Sequence, residues 1–357
     1  MIAYCTNVHP AHDLAGILDQ LDRHAVGVRA RLGVDVLPLG LWLPASVARG
    51  LAADPVARRG FRDELTARGL SVSTLNAFPY GDFHDTVVKH AVYQPNWVDP
   101  RRLAYTKDCA TVLADLMPAC ASYGSISTLP LAWREPWTEQ DDAHAEAALS
   151  ELTSFLRSSD RPVRLAVEPE PGCVLDTVAD AVGWLAGRVD PEVIGLCLDT
   201  CHLAVSFADP VETVELIRRS GLPVVKVQAS AALEVRDPRA ARAELAAFAE
   251  PRYLHQVREN APDGVLAADD LPEAFEELPG EHPWRVHFHV PLHAEPGGAL
   301  RSTTDVLVAA VVALDGDVHV EVETYTWTVL PDAGDLTEGI AAELAWAHEH
   351  LTTGVAV

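Results

Sequence analysis

Four stretches of the sequence place ionisable or amide side chains at the end of an apolar run. The stretches are LAVEPEP, IGLCLDTCH, VVKVQAS and HVEVETYTW, and their polar residues are Glu168 and Glu170, Asp199 and His202, Lys226 and Gln228, and His319, Glu321 and Glu323. Burying such groups costs free energy unless a partner compensates for the lost water. Carboxylate and amide oxygens and imidazole nitrogens are ligands for hard or borderline divalent cations. The pattern therefore predicts a cation site.

Electrostatic repulsion favours one cation shared by the carboxylates over a separate structural role for each of them. Carboxylates that converge on one point repel, and each raises the pKa of the others unless a cation neutralises them. Asp199 alone has a second interpretation, because an Asp at a strand end often caps the next helix. Glu168, Asp199 and Glu323 all end strands, however, and that coincidence favours the metal.

The elements that must position these groups alternate regularly along the chain. Strands are predicted at 2–7, 36–43, 71–78, 125–131, 163–170, 194–200, 224–230 and 317–325. Helices are predicted at 11–32, 46–68, 99–121, 140–158, 177–188, 210–219, 302–314 and 336–351. Eight apolar strands alternating with helices predict an α/β fold, a parallel (β/α)₈ TIM barrel, in which active sites lie at the C-terminal strand ends. An open doubly wound sheet is the alternative, but no G-x-G-x-x-G turn follows the first strand.

Two long connections interrupt this alternation, and both follow a strand. Residues 79–98 are rich in aromatic residues and histidine, and residues 231–301 form an insertion after the seventh strand, with further strands predicted at 252–257, 264–270 and 284–293. On a strand, His287, His289 and His293 would face one side. No linker divides the chain, so we predict one domain over residues 1–357.

Composition narrows the class of partner. The chain has 357 residues, 48% of them hydrophobic, and a formal net charge of −25. Such an acidic surface is unsuited to neutralising phosphates, so nucleic acid is not an expected partner. No apolar run approaches the roughly 20 residues that span a bilayer, and the first residues lack a signal-peptide pattern. We expect a cytoplasmic protein with no direct membrane insertion, whose six scattered cysteines are reduced and mostly buried.

The same motifs carry a family resemblance. Glu in LAVEPEP, Asp-x-x-His in LCLDTCH, the polar residue in VKVQ and the Glu in VEVET resemble the xylose-isomerase-like TIM-barrel superfamily, which includes sugar isomerases, ketose 3-epimerases, inosose dehydratases and the zinc endonuclease that acts at abasic sites. Nearly end to end, the chain is also similar to the EboE family of metabolite-traffic proteins from the Ebo cluster. The segments that carry that second resemblance are YCTNVHP, TLNAFPYGDFH, GSISTLPLAW, EPEPGC, CLDTCH, EPRYLHQV, VHFHVPL and VEVETYTW.

The resemblance implies one divalent metal ion (Mn, Zn, Mg or Fe) and a set of ligands. Glu168, Asp199, Gln228 and Glu323 correspond to the ligands, with His289 as a further candidate. Gln228 stands where many relatives have histidine, which favours Mn²⁺ or Mg²⁺ relative to Zn²⁺. The implied reaction is isomerisation or epimerisation of a sugar or sugar phosphate through an enediolate, with Glu168 and Glu323 as the catalytic acid and base.

The expected ligand is a small polar metabolite such as a sugar or polyol phosphate, with other proteins of the Ebo cluster as partners. The residues predicted to contact the substrate are His202, Asn76, Tyr80, His84 and Lys226, and Asn7 and His9 follow the first strand at the same mouth. Two alternatives stay open. A barrel that binds a metabolite without turning it over would keep the same pocket. A multi-zinc phosphodiesterase would need more imidazoles near the early strands, where this sequence has Asn76 and Ser127 or Thr128.

Overall fold

The computed structural model describes residues 2–81, 83–316 and 318–351. Its strands are β1 (Ile2–Cys5), β2 (Leu37–Leu41), β3 (Leu70–Asn76), β4 (Gly124–Thr128), β5 (Val163–Val167), β6 (Ile194–Asp199), β7 (Val224–Ala229), β8 (Leu233–Val235), β9 (Val257–Ala261), β10 (Gly264–Ala268), β11 (Trp284–Val286), β12 (Leu300–Ser302) and β13 (His319–Val322). Strands β1 to β7 and β13 close into a parallel barrel, in which β13 lies between β7 and β1. The predicted (β/α)₈ barrel is confirmed, although residue 317 of the last predicted strand lies outside the described residues.

The helices are α1 (Leu14–Gln20), α2 (Val26–Leu32), α3 (Ala45–Ala53), α4 (Pro55–Ala67), α5 (Pro100–Leu116), α6 (Glu139–Arg157), α7 (Val178–Leu185), α8 (Thr200–Val205), α9 (Pro210–Ser220), α10 (Arg242–Ala246), α11 (Leu271–Glu277), α12 (Thr304–Ala313) and α13 (Leu336–Leu351). The helix predicted over 46–68 is in fact two helices, α3 and α4. Proline lacks the N–H that a continuous helix needs, and the Asp54 side chain accepts hydrogen bonds from the backbone N–H groups of Val56 and Ala57. The sequence therefore ends one helix and begins another at Asp54–Pro55.

The barrel strands are nearly continuous apolar runs in the sequence because they are buried on both faces. All six residues of β6 are buried, and so are all five residues of β4. Helices cover the outside of a parallel barrel, while side chains from alternate strand positions fill its interior. Both faces of each strand are thus removed from water, and the polar residues in the strands must find partners inside the barrel.

The insertion between β7 and α12 forms a second sheet of five antiparallel strands, in the order β10-β9-β11-β8-β12. Its apolar residues, among them Leu233, Val257 and Trp284, belong to the same buried cluster as the barrel core. The strand predicted over 284–293 ends at Val286, so the prediction that His287, His289 and His293 share one strand face is wrong. The chain leaves the sheet there and turns toward the barrel. The single domain stays a prediction.

Two further features bear on the sequence predictions. In the described part of the chain, no helix is sufficiently long and apolar to cross a membrane. All six cysteines are free; five are buried and Cys120 is exposed.

Candidate functional site

A pocket opens at the C-terminal ends of the barrel strands. Residues that follow five of the barrel strands line it, together with residues of the insertion. The lining consists of Asn7, Asn76, Phe78, Pro79, Phe83, Lys89, Val92, Tyr93, Glu168, Glu170, His202, Tyr253, Leu254, His287, His289, Glu323 and Tyr325. Five predicted site residues are therefore on the pocket wall, namely Asn76, Glu168, His202, His289 and Glu323.

Three carboxyl groups meet at the base of this pocket. Glu168 directly follows β5, Asp199 is the last residue of β6, and Glu323 directly follows β13. All three are buried, and one oxygen of each lies within 4.8 Å of the others. Burial, reinforced by the neighbouring carboxylates, raises the pKa of Glu168 and of Glu323 well above the ordinary range. The cluster therefore favours either protons or a cation.

Amide and hydroxyl donors orient the cluster. Glu323 Oε1 accepts hydrogen bonds from Asn7 Nδ2 at 2.6 Å and Asn76 Nδ2 at 2.8 Å. Asn76 cannot turn its amide round, because its Oδ1 accepts the backbone N–H of Phe78. Asn7 and Asn76 thus hold one oxygen of Glu323 in place.

Asp199 satisfies both interpretations of its position. Its Oδ1 accepts the backbone N–H of His202, which makes it the N-cap of α8, and also accepts the Ser230 hydroxyl, each at 2.8 Å. Its Oδ2 is buried and has no partner in the described structure. One carboxylate oxygen therefore serves the fold while the other remains available to a ligand.

Several further buried atoms of the predicted ligands lack partners in the described structure. They are Glu168 Oε2, His289 Nε2 and both amide atoms of Gln228. His289 Nδ1 donates to the Glu323 carbonyl oxygen at 2.7 Å, and burial lowers the pKa of this ring to about 4, so Nε2 presents a lone pair. Carboxylate oxygens, an amide oxygen and an imidazole nitrogen are the donor set of a divalent cation. The residues present fit a metal ion.

Gln228 lies deeper than the pocket wall. In the barrel ladder it is in register with Asp199 of β6 and with Glu321 of β13. Its side chain is fully buried, and neither amide atom has a partner in the described structure. This placement suits the predicted ligand role, which stays a prediction.

Lys226, Tyr80 and His84 do not line the pocket among the described residues, and their placement does not support direct contact with a substrate. Lys226 is fully buried; its Nζ forms an ion pair with Glu321 and donates to Ser127 Oγ at 3.2 Å. Tyr80 packs edge-on against Tyr105. His84 packs against Trp42 and Phe83.

A second polar group lies beside the carboxyl cluster. His202 Nδ1 donates to the Pro169 carbonyl oxygen at 2.8 Å, and its Nε2 lies 3.2 Å from Nε2 of His287. The carboxyl of Glu170 is next to both rings. Tyr93 and Gln256, which the sequence analysis did not select, donate to Glu170 Oε1. They come from a loop and from the insertion, and no local pattern marked them.

The rest of the pocket is aromatic. Phe78, Phe83, Tyr253 and Tyr325 form its wall, with Phe83, Tyr253 and Tyr325 packed against one another. Lys89 is the one lysine or arginine in the described lining, and it is paired with Asp270. Apart from this neutralised cation, the charges of the pocket are carboxylates.

Comparison with known proteins agrees with this architecture. No curated protein matches the chain. A xylose isomerase-like TIM barrel protein from Mycobacterium smegmatis, solved in complex with magnesium, is 14% identical, with a TM-score of 0.54 over 98% of this chain and 97% of that one. D-allulose 3-epimerase from Methylomonas sp., in complex with D-allulose, is 13% identical, with a TM-score of 0.54 over 98% and 96%.

An L-ribulose 3-epimerase is 12% identical, with a TM-score of 0.54 over 99% of this chain and 94% of that chain. At these identities the structural likeness shows a shared fold. The sequence model of one family, described as xylose isomerase-like TIM barrel, matches residues 29–278, which is most of the chain. The protein therefore belongs to the xylose isomerase-like TIM barrel family.

Proposed function

We propose that this protein is a divalent-cation-dependent isomerase or epimerase that acts on a small, uncharged hydroxy-ketone such as a free sugar. The observation that carries the proposal is the pair of buried carboxyls, Glu168 and Glu323, which face one pocket with oxygens within 4.8 Å of each other. Relatives of the same fold include epimerases of free ketoses, which supports the reaction class.

The two carboxyls divide the proton transfers between them. One, ionised, takes the proton from the carbon next to the carbonyl, and the electron pair of the broken C–H bond moves to the carbonyl oxygen. The other, protonated, returns a proton to the opposite face of the same carbon for epimerisation, and the original carbonyl re-forms. For isomerisation the proton goes to the neighbouring carbon, and the hydroxyl proton of the first carbon passes to the oxygen of that neighbouring carbon, so that the first carbon becomes the new carbonyl. Asn7 and Asn76 keep Glu323 oriented throughout.

A metal ion fits beside these groups. Glu168, Asp199 and Glu323, whose oxygens lie within 4.8 Å of one another, would hold it. The unpartnered amide of Gln228 and Nε2 of His289 are the further donors that we propose. When bound, a divalent cation supplies Lewis-acid polarisation of adjacent carbonyl and hydroxyl oxygens, which acidifies the C–H bond between them. The mostly oxygen donor set favours Mn²⁺ or Mg²⁺.

The pocket's charges favour a substrate without phosphate. Recognition of a phosphate needs cationic or N–H donors, and Lys89, the one lysine or arginine of the described lining, already pairs with Asp270. Tyr325 and Tyr253 instead offer aromatic faces, which suit the C–H face of a sugar ring. We therefore narrow the expected sugar or sugar phosphate to the unphosphorylated form.

Deuterium exchange tests the proposal directly. The protein, loaded with Mn²⁺ in D₂O, is incubated with free ketopentoses and ketohexoses and with their phosphates, and label next to the carbonyl is read by NMR. We expect exchange with a free ketose, and a loss of about 100-fold or more in Glu168→Gln and Glu323→Gln. Glu259→Gln is the matched control, since Glu259 is a buried carboxylate on the insertion sheet, bonded to Trp284 Nε1.

Absence of exchange with every ketose and every candidate ion would refute the enzyme. If a ketose then still raised the melting temperature in a pocket-dependent way, the non-catalytic metabolite-binding barrel would replace it. Exchange that survives both Gln variants would remove Glu168 and Glu323 from the mechanism.

We further infer membership of the EboE family, and with it a role in handling a small metabolite in the cytoplasm alongside other Ebo-cluster proteins. The sequence segments that resemble that family nearly end to end support this assignment. Comparison of small polar metabolites in cells with and without this protein tests it. An unchanged metabolite profile would argue against the role.

A further inference from the structure

We propose that Glu343 is a positioning residue of the pocket, whose single buried carboxyl holds the segment that carries Glu323 against the segment that carries His289. Glu343 lies on α13, which packs against β1 and β13, and it does not line the pocket. None of its hydrogen bonds in the described structure goes to a predicted ligand, so it would act through its neighbours. The proposal rests on the proposed function, because Glu323 and His289 belong to that site.

Three donors from two segments converge on the carboxyl of Glu343. Its Oε1 accepts the hydroxyl of Thr324 at 2.6 Å and the backbone N–H of Leu292 at 3.1 Å. Its Oε2 accepts the indole N–H of Trp327 at 2.8 Å. Thr324 and Trp327 belong to the segment after β13, whereas Leu292 belongs to the segment after β11, and all four residues are buried. One side chain therefore joins two segments that lie far apart in the sequence.

The same two segments carry groups of the candidate site. Glu323 immediately precedes Thr324, and His289 lies shortly before Leu292 in the chain. The segments also meet directly, since Nδ1 of His289 donates to the carbonyl oxygen of Glu323 at 2.7 Å. The carboxyl of Glu343 therefore restrains both sides of a contact between two predicted ligands.

A carboxylate is a costly group for these contacts, because burying an ionised side chain among neutral donors is unfavourable. It is also the group that the geometry demands. An ionised carboxylate accepts through both oxygens and has no hydrogen to donate, whereas glutamine would place its own N–H₂ against one of the donors. Gly339, one turn earlier on α13, makes room for the indole, since a Cβ there would lie 2.1 Å from Cη2 of Trp327. Proteins retain such costly arrangements most often where they serve a functional site.

Mn²⁺ binding by the metal-free, full-length protein tests this role without relying on activity. Electron paramagnetic resonance measures free Mn²⁺ during a titration and so gives the Kd. We expect Glu343→Gln and Thr324→Val each to weaken Mn²⁺ binding by about 10- to 100-fold, as altering a residue that orients metal ligands usually does. Thr324→Ser keeps the hydroxyl and should keep an affinity close to that of the wild-type protein.

The deuterium-exchange assay supplies a second readout. At saturating Mn²⁺, Glu343→Gln and Thr324→Val should lose about 10- to 100-fold in kcat. KM for the ketose should change by less than about 3-fold, because the pocket wall is unaltered. The control is Glu259→Gln. Glu259 is likewise a buried carboxylate that accepts an indole N–H, but its donors are Trp284 and the backbone of residues 280–282. This variant should change neither the Mn²⁺ affinity nor kcat.

Circular dichroism and melting temperature verify that each variant is folded. Unchanged Mn²⁺ affinity and kcat in both Glu343→Gln and Thr324→Val, or equal losses in Glu259→Gln, would overturn the positioning role and leave the proposed function intact. Weaker Mn²⁺ binding in the two variants, with no exchange by the wild-type protein, would support the positioning role and refute the proposed reaction. Wild-type protein that neither binds Mn²⁺ nor catalyses exchange would overturn both.

Discussion

Lys226 and Glu321 form a buried ion pair inside the barrel. Its contribution to the free energy of unfolding can be predicted and measured. Both side chains are fully buried, and they project from neighbouring strands β7 and β13. Burial alone would lower the pKa of Lys226, but the Glu321 carboxylate more than offsets this and the pKa is raised. Removing one partner of such a pair leaves an uncompensated buried charge, which costs about 3–5 kcal/mol.

We therefore expect Lys226→Met to lower the free energy of unfolding by about 3–5 kcal/mol. With a slope of about 3 kcal/mol per molar urea, the midpoint of urea unfolding should fall by about 1 M or more. The double variant Lys226→Met/Glu321→Leu replaces both charges with apolar side chains and should recover most of this loss, because paired removal is often nearly neutral.

The control is Lys107→Met, which breaks a more exposed ion pair between Lys107 and Glu151 on the helical surface and should cost less than about 1 kcal/mol. Circular dichroism during urea titration measures all three variants. If Lys226→Met costs no more than Lys107→Met, or if the double variant is no more stable than the single one, the reasoning about the buried pair is refuted.

Three further predictions concern pH, packing and metal. Burial raises the pKa of Glu343 to about 7 from an ordinary 4.5, so between these two values the folded state keeps a proton that the unfolded state loses. The free energy of unfolding should therefore fall by about 1.4 kcal/mol per pH unit between about pH 5 and 7. Urea titrations at several pH values measure this slope, and Glu343→Gln should remove it. Gly40→Ala should lower the free energy of unfolding by about 3 kcal/mol, because a Cβ at this position would lie 1.2 Å from Glu321 Oε1. Gly50→Ala is the control, because a Cβ at position 50 would meet no other atom within 4 Å. Mn²⁺ at about 100 times its Kd should add about 2.7 kcal/mol of stability to the wild-type protein, and Asp199→Asn should lose most of it in thermal unfolding.

Each of these has an outcome that contradicts it. A slope between pH 5 and 7 that persists in Glu343→Gln would assign the titration to another group. Equal stability of the Gly40 and Gly50 variants would mean that Glu321 moves aside at little cost. A full Mn²⁺ stabilisation of Asp199→Asn would place the ion away from the carboxyl cluster.

The sequence by itself determined the barrel and the strand ends that carry the carboxyls. Alternation of apolar runs with helical periods is a local pattern, and each pattern states which residues are buried and where an element stops. Glu168, Asp199 and Glu323 could be selected because each ends such a run, and the closed barrel brings their oxygens within 4.8 Å. The division at Asp54–Pro55 was also visible in local chemistry, although the prediction ran through it.

Only the tertiary structure decided what completes the site. Asn7 reaches Glu323 across 316 positions of sequence, and His287 meets His202 across 85. Lys226, which shares a strand face with Gln228, turns to Glu321 instead of the pocket because an opposite charge is available on the next strand. Such contacts depend on how the loops and the insertion pack over the mouth of the barrel, and the local periodicity of the sequence does not encode that packing. The free energy of a buried charge in turn depends on the partner that the fold provides.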